Sequence, residues 1–153
     1  MRTALAALLL LAGCATVPVV DDRAAINTVI DDWHQAASVA DESRYFEHMT
    51  TDAVFMGTDA TERWDLAAFR AFAHPHFAKG TAWTFKPRGR NVMVHGEVAW
   101  FDEVLDSASY GECRGTGVLR REGGRWKIAH YNLTIPIPND LAKEVVAKIR
   151  TQP

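Results

Sequence analysis

Apolar residues recur at the spacing of an α-helix in the first part of the chain. The residues that fall on one helical face are Ile26, Ile30, Trp33, Ala37 and Ala40. Asp21 and Asp22 precede this face, and carboxylates at the start of a helix cap its free N–H groups and suit its positive end. We therefore predict a helix over residues 22–39, followed by a shorter helix over residues 41–48.

The pattern then changes to short alternating segments. Residues 53–56 and 62–64 predict two short strands joined by a polar loop. Asp65 is a candidate cap for a third helix. The apolar face of this helix contains Leu66, Phe69, Phe72 and Ala73. Pro75 is expected to end or kink the helix, because proline has no N–H group to donate.

The second half of the chain has the period of β-strands. The predicted strands cover residues 81–87, 91–94, 97–105, 110–121 and 125–134. Gly123 and Gly124 form a turn signal before the last strand, and a short helix over residues 141–149 ends the pattern. Helices that are segregated from a run of antiparallel strands predict an α+β domain.

The strand over residues 97–105 carries apolar residues on both of its faces. Val98, Trp100 and Val104 lie on one side, and Ala99, Phe101 and Leu105 lie on the other. One face is expected to cover the helices, and the other must also be hidden from water, because it would otherwise leave a large apolar patch. We therefore expect a homodimer that packs through the second sheet face.

The first twenty residues differ in character from the rest. Residues 1–3 form a short positive segment, and residues 4–11 form an apolar run far shorter than the roughly 20 residues of a membrane span. Residues 11–14, L-A-G-C, resemble a bacterial lipobox, in which the chain is cut before the cysteine and Cys14 is lipidated. Plain secretion with an unmodified Cys14 is the alternative.

This resemblance divides the chain into a lipoprotein signal peptide over residues 1–13, a tether over residues 14–20 and a folded domain over residues 21–150. It implies a protein of the bacterial cell envelope that lipidated Cys14 holds to a membrane. Ala15 stands where an aspartate would retain a lipoprotein in the inner membrane, which favours the outer membrane, facing the periplasm. Cys113 is then left without an intrachain partner, and a buried apolar thiol is favoured over a reactive or metal-binding one.

Composition mainly excludes functions. The chain has 153 residues, of which 48% are hydrophobic, and this suits one soluble domain with its own core. The formal net charge of −2 argues against a nucleic acid partner. The sequence contains no phosphate-binding loop and no dinucleotide fingerprint, so no cofactor is predicted. His74 and His76 lack convincing third and fourth ligands, so no metal site is predicted.

Three stretches of the chain resemble one known family. They are F-M-G-T-D-A-T-E-R-W (55–64), V-A-W-F-D-E (98–103) and R-G-T-G-V-L-R-R-E-G-G-R-W-K-I-A-H-Y-N-L-T (114–134). They look like the short hairpin, central strand and closing hairpin of the SnoaL-like branch of the nuclear-transport-factor-two-like superfamily. The resemblance implies a cone, in which a strongly curved antiparallel sheet wraps around the N-terminal helices and leaves a pocket at the wide end. Members include isomerases, polyketide cyclases, dehydratases and binding subunits, so the fold alone does not fix the function.

The last strand carries the first pocket candidates. Strict alternation puts His130 and Asn132 on the same side as Trp126, and the family pattern aims this side into the cone. His130 is a candidate catalytic residue, since histidine acts as a general base or acid near neutral pH. Asn132 is a candidate hydrogen-bond donor to a ligand carbonyl. The alternative is an internal polar cluster in which these side chains satisfy one another.

Charged candidates lie on the two preceding strands. Arg114 and Thr116 share the side that the family pattern aims into the cone, where Arg114 would bind a carboxylate or phosphate. Asp102 and Glu103 are neighbours on one strand and therefore point to opposite faces, which puts one of them in the pocket. An ionised carboxylate there needs a partner, and Arg114 is the predicted one. A structural ion pair is favoured over a catalytic one.

Aromatic side chains supply the rest of the candidate pocket. Trp33, Trp64 and Trp83 are predicted at its rim, where they would contact a flat apolar ligand. Tyr45 is a candidate oxyanion donor for an isomerase-like reaction. The base that such a reaction also needs is not assignable from the sequence.

Three functions are compatible with these features. The first is a binding module that holds a small, partly apolar molecule and has no chemistry of its own. The second is an enzyme of the isomerase, cyclase or dehydratase type, with His130 or a pocket carboxylate as general base. The third is a structural dimer whose pocket is vestigial. Because no base and oxyanion donor are assignable together, binding or structure is favoured over catalysis.

Overall fold

The computed structural model describes residues 21–80 and 82–151. The helices are α1 (Asp22–Ser38), α2 (Glu42–Glu47), α3 (Leu66–Ala78) and α4 (Ala142–Arg150). The strands are β1 (Met49–Met56), β2 (Arg63–Asp65), β3 (Phe85–His95), β4 (Val98–Ser107), β5 (Gly111–Glu122) and β6 (Arg125–Thr134). The order and type of these elements agree with the prediction, except that two of the predicted strands form the single strand β3. The predicted signal peptide, the predicted tether and the predicted lipidation site Cys14 lie outside the described residues. Within the described residues no helix is long and apolar enough to cross a membrane.

Aspartate side chains cap the first three helices. Asp21, Asp41 and Asp65 each accept a hydrogen bond from a backbone N–H of the turn that follows, at 2.8–3.1 Å. α3 continues through Pro75 to residue 78, so the proline does not end the helix. Pro75 and Ala71 are both exposed, and water can therefore satisfy the Ala71 carbonyl that the proline leaves without an N–H partner.

The six strands form one curved, open sheet in the order β2-β1-β6-β5-β4-β3. Neighbouring strands are antiparallel except β1 and β6, which run parallel. The predicted strands over residues 81–87 and 91–94 correspond to one edge strand, β3, whose pairing with β4 shifts at Arg88. Pro87 is tolerated beside this irregularity because the strand lies at the edge of the sheet. The predicted α+β class, with a curved sheet around the N-terminal helices, is confirmed.

The core lies between α1 and the inner face of the sheet. The buried apolar residues of α1 are Ile26, Ile30, Trp33, Ala36 and Ala37. Those of β4 are Ala99, Phe101 and Leu105. The outer face of β4 keeps Val98, Trp100 and Val104, which remain 36–45% exposed. Both faces of β4 therefore carry apolar side chains, and the described residues cover only the inner face.

A β-bulge in β6 changes which side chains face the core. Residues 118 and 119 of β5 pair with His130 and Ile128, so Ala129 is an extra residue in the ladder. Beyond the bulge Tyr131 is buried, whereas His130 and Asn132 pair with outward-facing residues of β5. The prediction that His130 and Asn132 face into the cone is therefore wrong, because it assumed strict alternation along the strand.

Candidate functional site

A cavity of about 490 Å³ lies between the β1–β2 hairpin, α3, the segment that leads into β3, and the β4–β5 turn. Its aromatic lining consists of Phe55, Trp64, Phe69, Phe72, Trp83, Phe85 and Tyr110. The Phe55 and Phe69 rings are stacked with centroids 3.9 Å apart, and those of Trp64 and Phe72 are 4.5 Å apart. Because these rings support one another, they form a preordered wall for a flat apolar molecule. We call this cavity the aromatic pocket.

Glu103 is the centre of a buried polar cluster on the inner face of β4. The residue is only 1% exposed. Its Oε1 accepts hydrogen bonds from His34 Nε2 at 2.8 Å and from the Tyr131 hydroxyl at 3.1 Å. Its Oε2 accepts from Arg90 Nε at 2.9 Å and from Arg90 Nη2 at 2.8 Å. All four interactions put a donor on the carboxylate, so this buried charge is fully compensated.

The partners of Glu103 also control its ionisation. Burial raises the pKa of the Glu103 carboxyl, but the hydrogen bond from His34, together with the charge and hydrogen bonds of Arg90, outweighs burial and holds the pKa below its ordinary value. Arg90 is itself 6% exposed and extends to α1, where its Nη1 donates to Asp31 Oδ1 at 2.8 Å. The cluster therefore joins two strands to the first helix through ionised groups.

A second, smaller cleft of about 330 Å³ lies beside His34. We call it the His34 cleft. Its lining consists of Asp31, His34, Gln35, Ser38, Thr84, Phe85, Lys86 and Pro87. Ser38, Thr84 and Phe85 line the aromatic pocket as well, so the two spaces share a wall. The aromatic pocket is rich in aromatic rings, whereas most of the residues that line the His34 cleft have polar or charged side chains.

Of the two predicted carboxylates, Glu103 faces the interior and Asp102 faces outward. Asp102 accepts a hydrogen bond from Asn91 Nδ2 at 2.9 Å on the outer face. Arg114 is exposed and lies opposite Val104, so it is not the partner of Glu103. The predicted pairing of Arg114 with Glu103 is wrong because Glu103 lies opposite Gly115, so Arg114 lies on the other face of the sheet. Arg90 of β3, the other neighbour of β4, lies opposite Glu103 and is its partner.

The remaining polar candidates lie outside the cone. Thr116 pairs with Asn132, and both are half-buried on the outer face of the sheet. His130 lies next to them, opposite Val118. These side chains are neighbours on the outer face, and neither cavity reaches them.

The aromatic candidates divide into two sets. Trp64 and Trp83 line the aromatic pocket. Trp33 and Tyr45 do not line it, and they are 2% and 0% exposed. Their rings stack with centroids 4.9 Å apart, and burial raises the pKa of the Tyr45 hydroxyl well above its ordinary value. Trp33 therefore belongs to the core rather than the predicted pocket rim, and Tyr45 does not present its hydroxyl to either cavity.

Sequence reasoning missed His34, Arg90 and Tyr131. A signal existed for the histidine, since His34 falls at helical spacing between Ile30 and Ala37 on the buried face of α1, where a polar group requires a partner. No such signal existed for Tyr131 and Arg90. Both follow an irregularity in their strand, so regular alternation does not show that their side chains point inward.

Metal-ligating side chains are not gathered at either cavity. Within residues 21–80 and 82–151, no group of three or more His, Cys, Asp or Glu residues has the arrangement of a metal site. His74 instead contacts Glu42, with Nδ1 and Oε2 2.8 Å apart. Cys113 is buried, and burial raises the pKa of its thiol.

Comparison with known proteins adds a family and a set of similar folds. The family model of the SnoaL-like domain matches residues 26–138. An NTF2-like protein of unknown function from Pseudomonas putida KT2440 is 22% identical, with a TM-score of 0.64 over 75% of this chain and 87% of that one. A proposed aromatic ring hydroxylase from Novosphingobium aromaticivorans is 20% identical, with a TM-score of 0.65 over 80% and 94% of the two chains.

A proposed dehydratase of the NTF2-like family from Streptomyces avermitilis is 12% identical, with a TM-score of 0.67 over 76% of this chain and 97% of that one. No curated protein matches the sequence. At these identities the solved structures establish the fold, and the chemistry has to be argued from this chain's own residues.

Proposed function

The chain belongs to the SnoaL-like domain family, and from this premise we propose that it is a binding protein for a small, partly apolar molecule. The supporting observation is the aromatic pocket. Its volume of about 490 Å³ lies within the range of ligand sites, roughly 300–1,000 Å³, and its stacked rings are accompanied by a few polar groups. A pocket with a preordered wall favours ligand binding over a vestigial, purely structural cavity.

The arrangement of Glu103 favours binding over catalysis by a pocket carboxylate. A general base needs a free lone pair within reach of the proton that it removes. The Glu103 carboxylate already accepts four hydrogen bonds, and Arg90 and His34 keep its pKa low. It is therefore a weak base, and its neighbours would have to move before a substrate reached it.

We expect Trp83→Ala to weaken the binding of naphthalene-sized aromatic probes about tenfold or more, because large aromatic contacts dominate such sites. Trp83 lies on the pocket wall and packs edge-on against Phe77, with ring centroids 5.4 Å apart. Isothermal titration calorimetry would measure the affinity. The matched control is Trp100→Ala on the outer sheet face, which should leave it unchanged. Equal affinities for both variants would exclude the aromatic pocket as the site.

We further propose that the domain is anchored to the bacterial envelope through lipidated Cys14, at the outer membrane and facing the periplasm. A tether over residues 14–20 spans at most about 25 Å when fully extended, so the start of α1 would stay near the lipid surface. Cys14→Ser should abolish labelling by a fatty-acid analogue and release the protein from the membrane fraction. Labelling that persists in this variant would refute the anchor.

The outer sheet face supports the proposal of a homodimer. Trp100 is 45% exposed and lies between Met93 and Val118 of the two neighbouring strands. A charge placed there would have to be buried in a sheet-to-sheet interface, so Trp100→Glu should convert the dimer to monomer in sedimentation at micromolar concentration. Val146→Glu is the control, since Val146 is 44% exposed and belongs to α4 rather than to the sheet. A wild-type chain that is monomeric at micromolar concentration would refute the proposal.

A further inference from the structure

The two ring nitrogens of His34 differ in their hydrogen bonding. Nε2 lies 2.8 Å from Glu103 Oε1, and the ionised carboxylate can only accept, so the hydrogen of this bond belongs to His34. In the neutral form of the ring, the lone pair is then on Nδ1. Glu103 cannot turn away to release the ring, because Arg90 holds its other oxygen through two hydrogen bonds.

The other ring nitrogen of His34, Nδ1, has no hydrogen-bond partner among the described residues. His34 is only 7% exposed. Among the described residues, the enclosed side-chain polar atoms without a hydrogen-bond partner are Trp33 Nε1, the Tyr45 hydroxyl and Arg121 Nε. His34 Nδ1 is not one of them. The His34 cleft is the space that this side chain lines.

The position of the cleft relates this nitrogen to the aromatic pocket. Ser38, Thr84 and Phe85 line both spaces. The two spaces are therefore adjacent, and a molecule whose flat body contacts Trp64 and Trp83 would have to extend its polar end past Phe85 to reach His34. The pocket supplies apolar contact, and the cleft supplies a fixed hydrogen-bond acceptor.

We propose that His34 Nδ1 is the polar anchor of the ligand site, and that the ligand is a flat apolar molecule bearing a hydroxyl group that donates to it. This assignment rests on the proposed binding function. A hydroxyl fits better than a carboxylate, because a hydroxyl can donate to the lone pair of Nδ1 whereas an ionised carboxylate can only accept. Lys86 also lines the cleft, but it is exposed and its charge is screened by water.

Three probes with the same ring system test the assignment on the wild-type chain: 2-naphthol, 2-methoxynaphthalene and 2-naphthoate. The ether is the more apolar of the two neutral probes, so hydrophobic contact alone would make it bind more tightly. We expect the reverse order, with 2-naphthol at least about fivefold tighter than the ether, because only the hydroxyl satisfies Nδ1. Equal binding, tighter ether or tighter naphthoate would each overturn the assignment.

Two histidine-to-glutamine variants test whether the preference for the hydroxyl depends on His34. Glutamine at position 34 can still donate to Glu103 but places no acceptor where Nδ1 was. His34→Gln should therefore bring the naphthol-to-ether ratio to about one, with ether affinity within about twofold of wild type. His130→Gln, on the outer sheet face, should keep the wild-type ratio. A ratio that His34→Gln leaves unchanged would refute the assignment.

A second measurement does not depend on any variant folding. In ¹⁵N-labelled wild-type protein, 2-naphthol should shift the Nδ1 resonance of His34, whereas the ether should not. If both probes shift the Nδ1 resonance equally, or if bound 2-naphthol does not shift it, the proposed hydrogen bond to His34 is refuted. If neither neutral probe binds the wild-type chain, the proposed pocket function itself fails. If 2-naphthol and the ether bind with equal affinity, the proposed pocket function is retained and only the proposed role of His34 is refuted.

Discussion

Replacing Glu103 by alanine is expected to lower the free energy of unfolding by about 3–5 kcal/mol, the typical effect of removing one partner from a buried ion pair. The reason is the charge that remains. Arg90 is 6% exposed and would lose both of its hydrogen bonds to the carboxylate. The His34 N–H and the Tyr131 hydroxyl would also lose their acceptor inside the core.

Urea denaturation of matched variants measures this effect. Asp102→Ala is the control, because Asp102 is the next residue on the same strand and its side chain lies on the outer face. We expect the control to change stability by less than about 0.5 kcal/mol, as is usual for surface substitutions. Equal midpoints for the two variants would mean that the Glu103 carboxylate is not essential to the packing around it.

The same pairing fixes the direction of a pH effect. The pKa of Glu103 is lower in the folded chain than its ordinary value of 4.5, so the unfolded chain binds a proton more readily at this position. The carboxylate therefore stabilises the fold above about pH 4.5, and this contribution is lost as the pH falls through the lowered pKa. The stability difference between wild type and Glu103→Gln should shrink in acid.

The parts of the fold that were predictable from sequence depend on local patterns. The apolar stripe and the aspartate cap place α1 within one residue of its observed end, and β6 has the predicted bounds of residues 125–134. The parallel pairing of β1 with β6 was not predictable in this way, since it joins segments more than seventy residues apart. Loop closure over such a distance leaves no periodic signal in either strand.

The site was harder to predict because the side-chain direction in a strand depends on every residue before it. One extra residue reverses the assignment of all positions that follow. Ala129 is such a residue in β6, and it exchanges the expected His130 for the observed Tyr131. The bulge changes the face on which the side chains lie but not the bounds of β6. The predicted fold is therefore confirmed, whereas the predicted inward direction of His130 and Asn132 is wrong.

The sequence contained a feature that identifies the inner face of β5 independently of any alternation. Gly115 and Gly117 are two positions apart and therefore lie on one face, and glycines in a strand often mark a close approach by another group. A Cβ at Gly115 would lie 2.8 Å from Glu103 Oε1, and one at Gly117 would lie 2.5 Å from Phe101. The glycine side is thus the inner side, and Thr116 between them must face outward.

Gly115→Ala is accordingly expected to lower the free energy of unfolding by about 3 kcal/mol, although it adds a single methyl group. The new Cβ would lie 2.2 Å from the Tyr131 hydroxyl, and neither neighbour can yield easily. Tyr131 is 2% exposed and packs edge-on against Trp33, with ring centroids 4.7 Å apart. Glu103 is held by four hydrogen bonds, so any displacement leaves a buried donor without its acceptor.

Gly89→Ala in β3 is the matched control for this prediction, since a Cβ there meets no atom within 4 Å. The control should leave the urea midpoint near wild type or raise it slightly, because alanine restricts the unfolded chain more than glycine does. If both alanine variants unfold at the wild-type urea midpoint, a methyl group fits at position 115 and the prediction is refuted. A loss confined to Gly115→Ala would instead show that the Glu103 cluster depends on the missing side chain of this one residue.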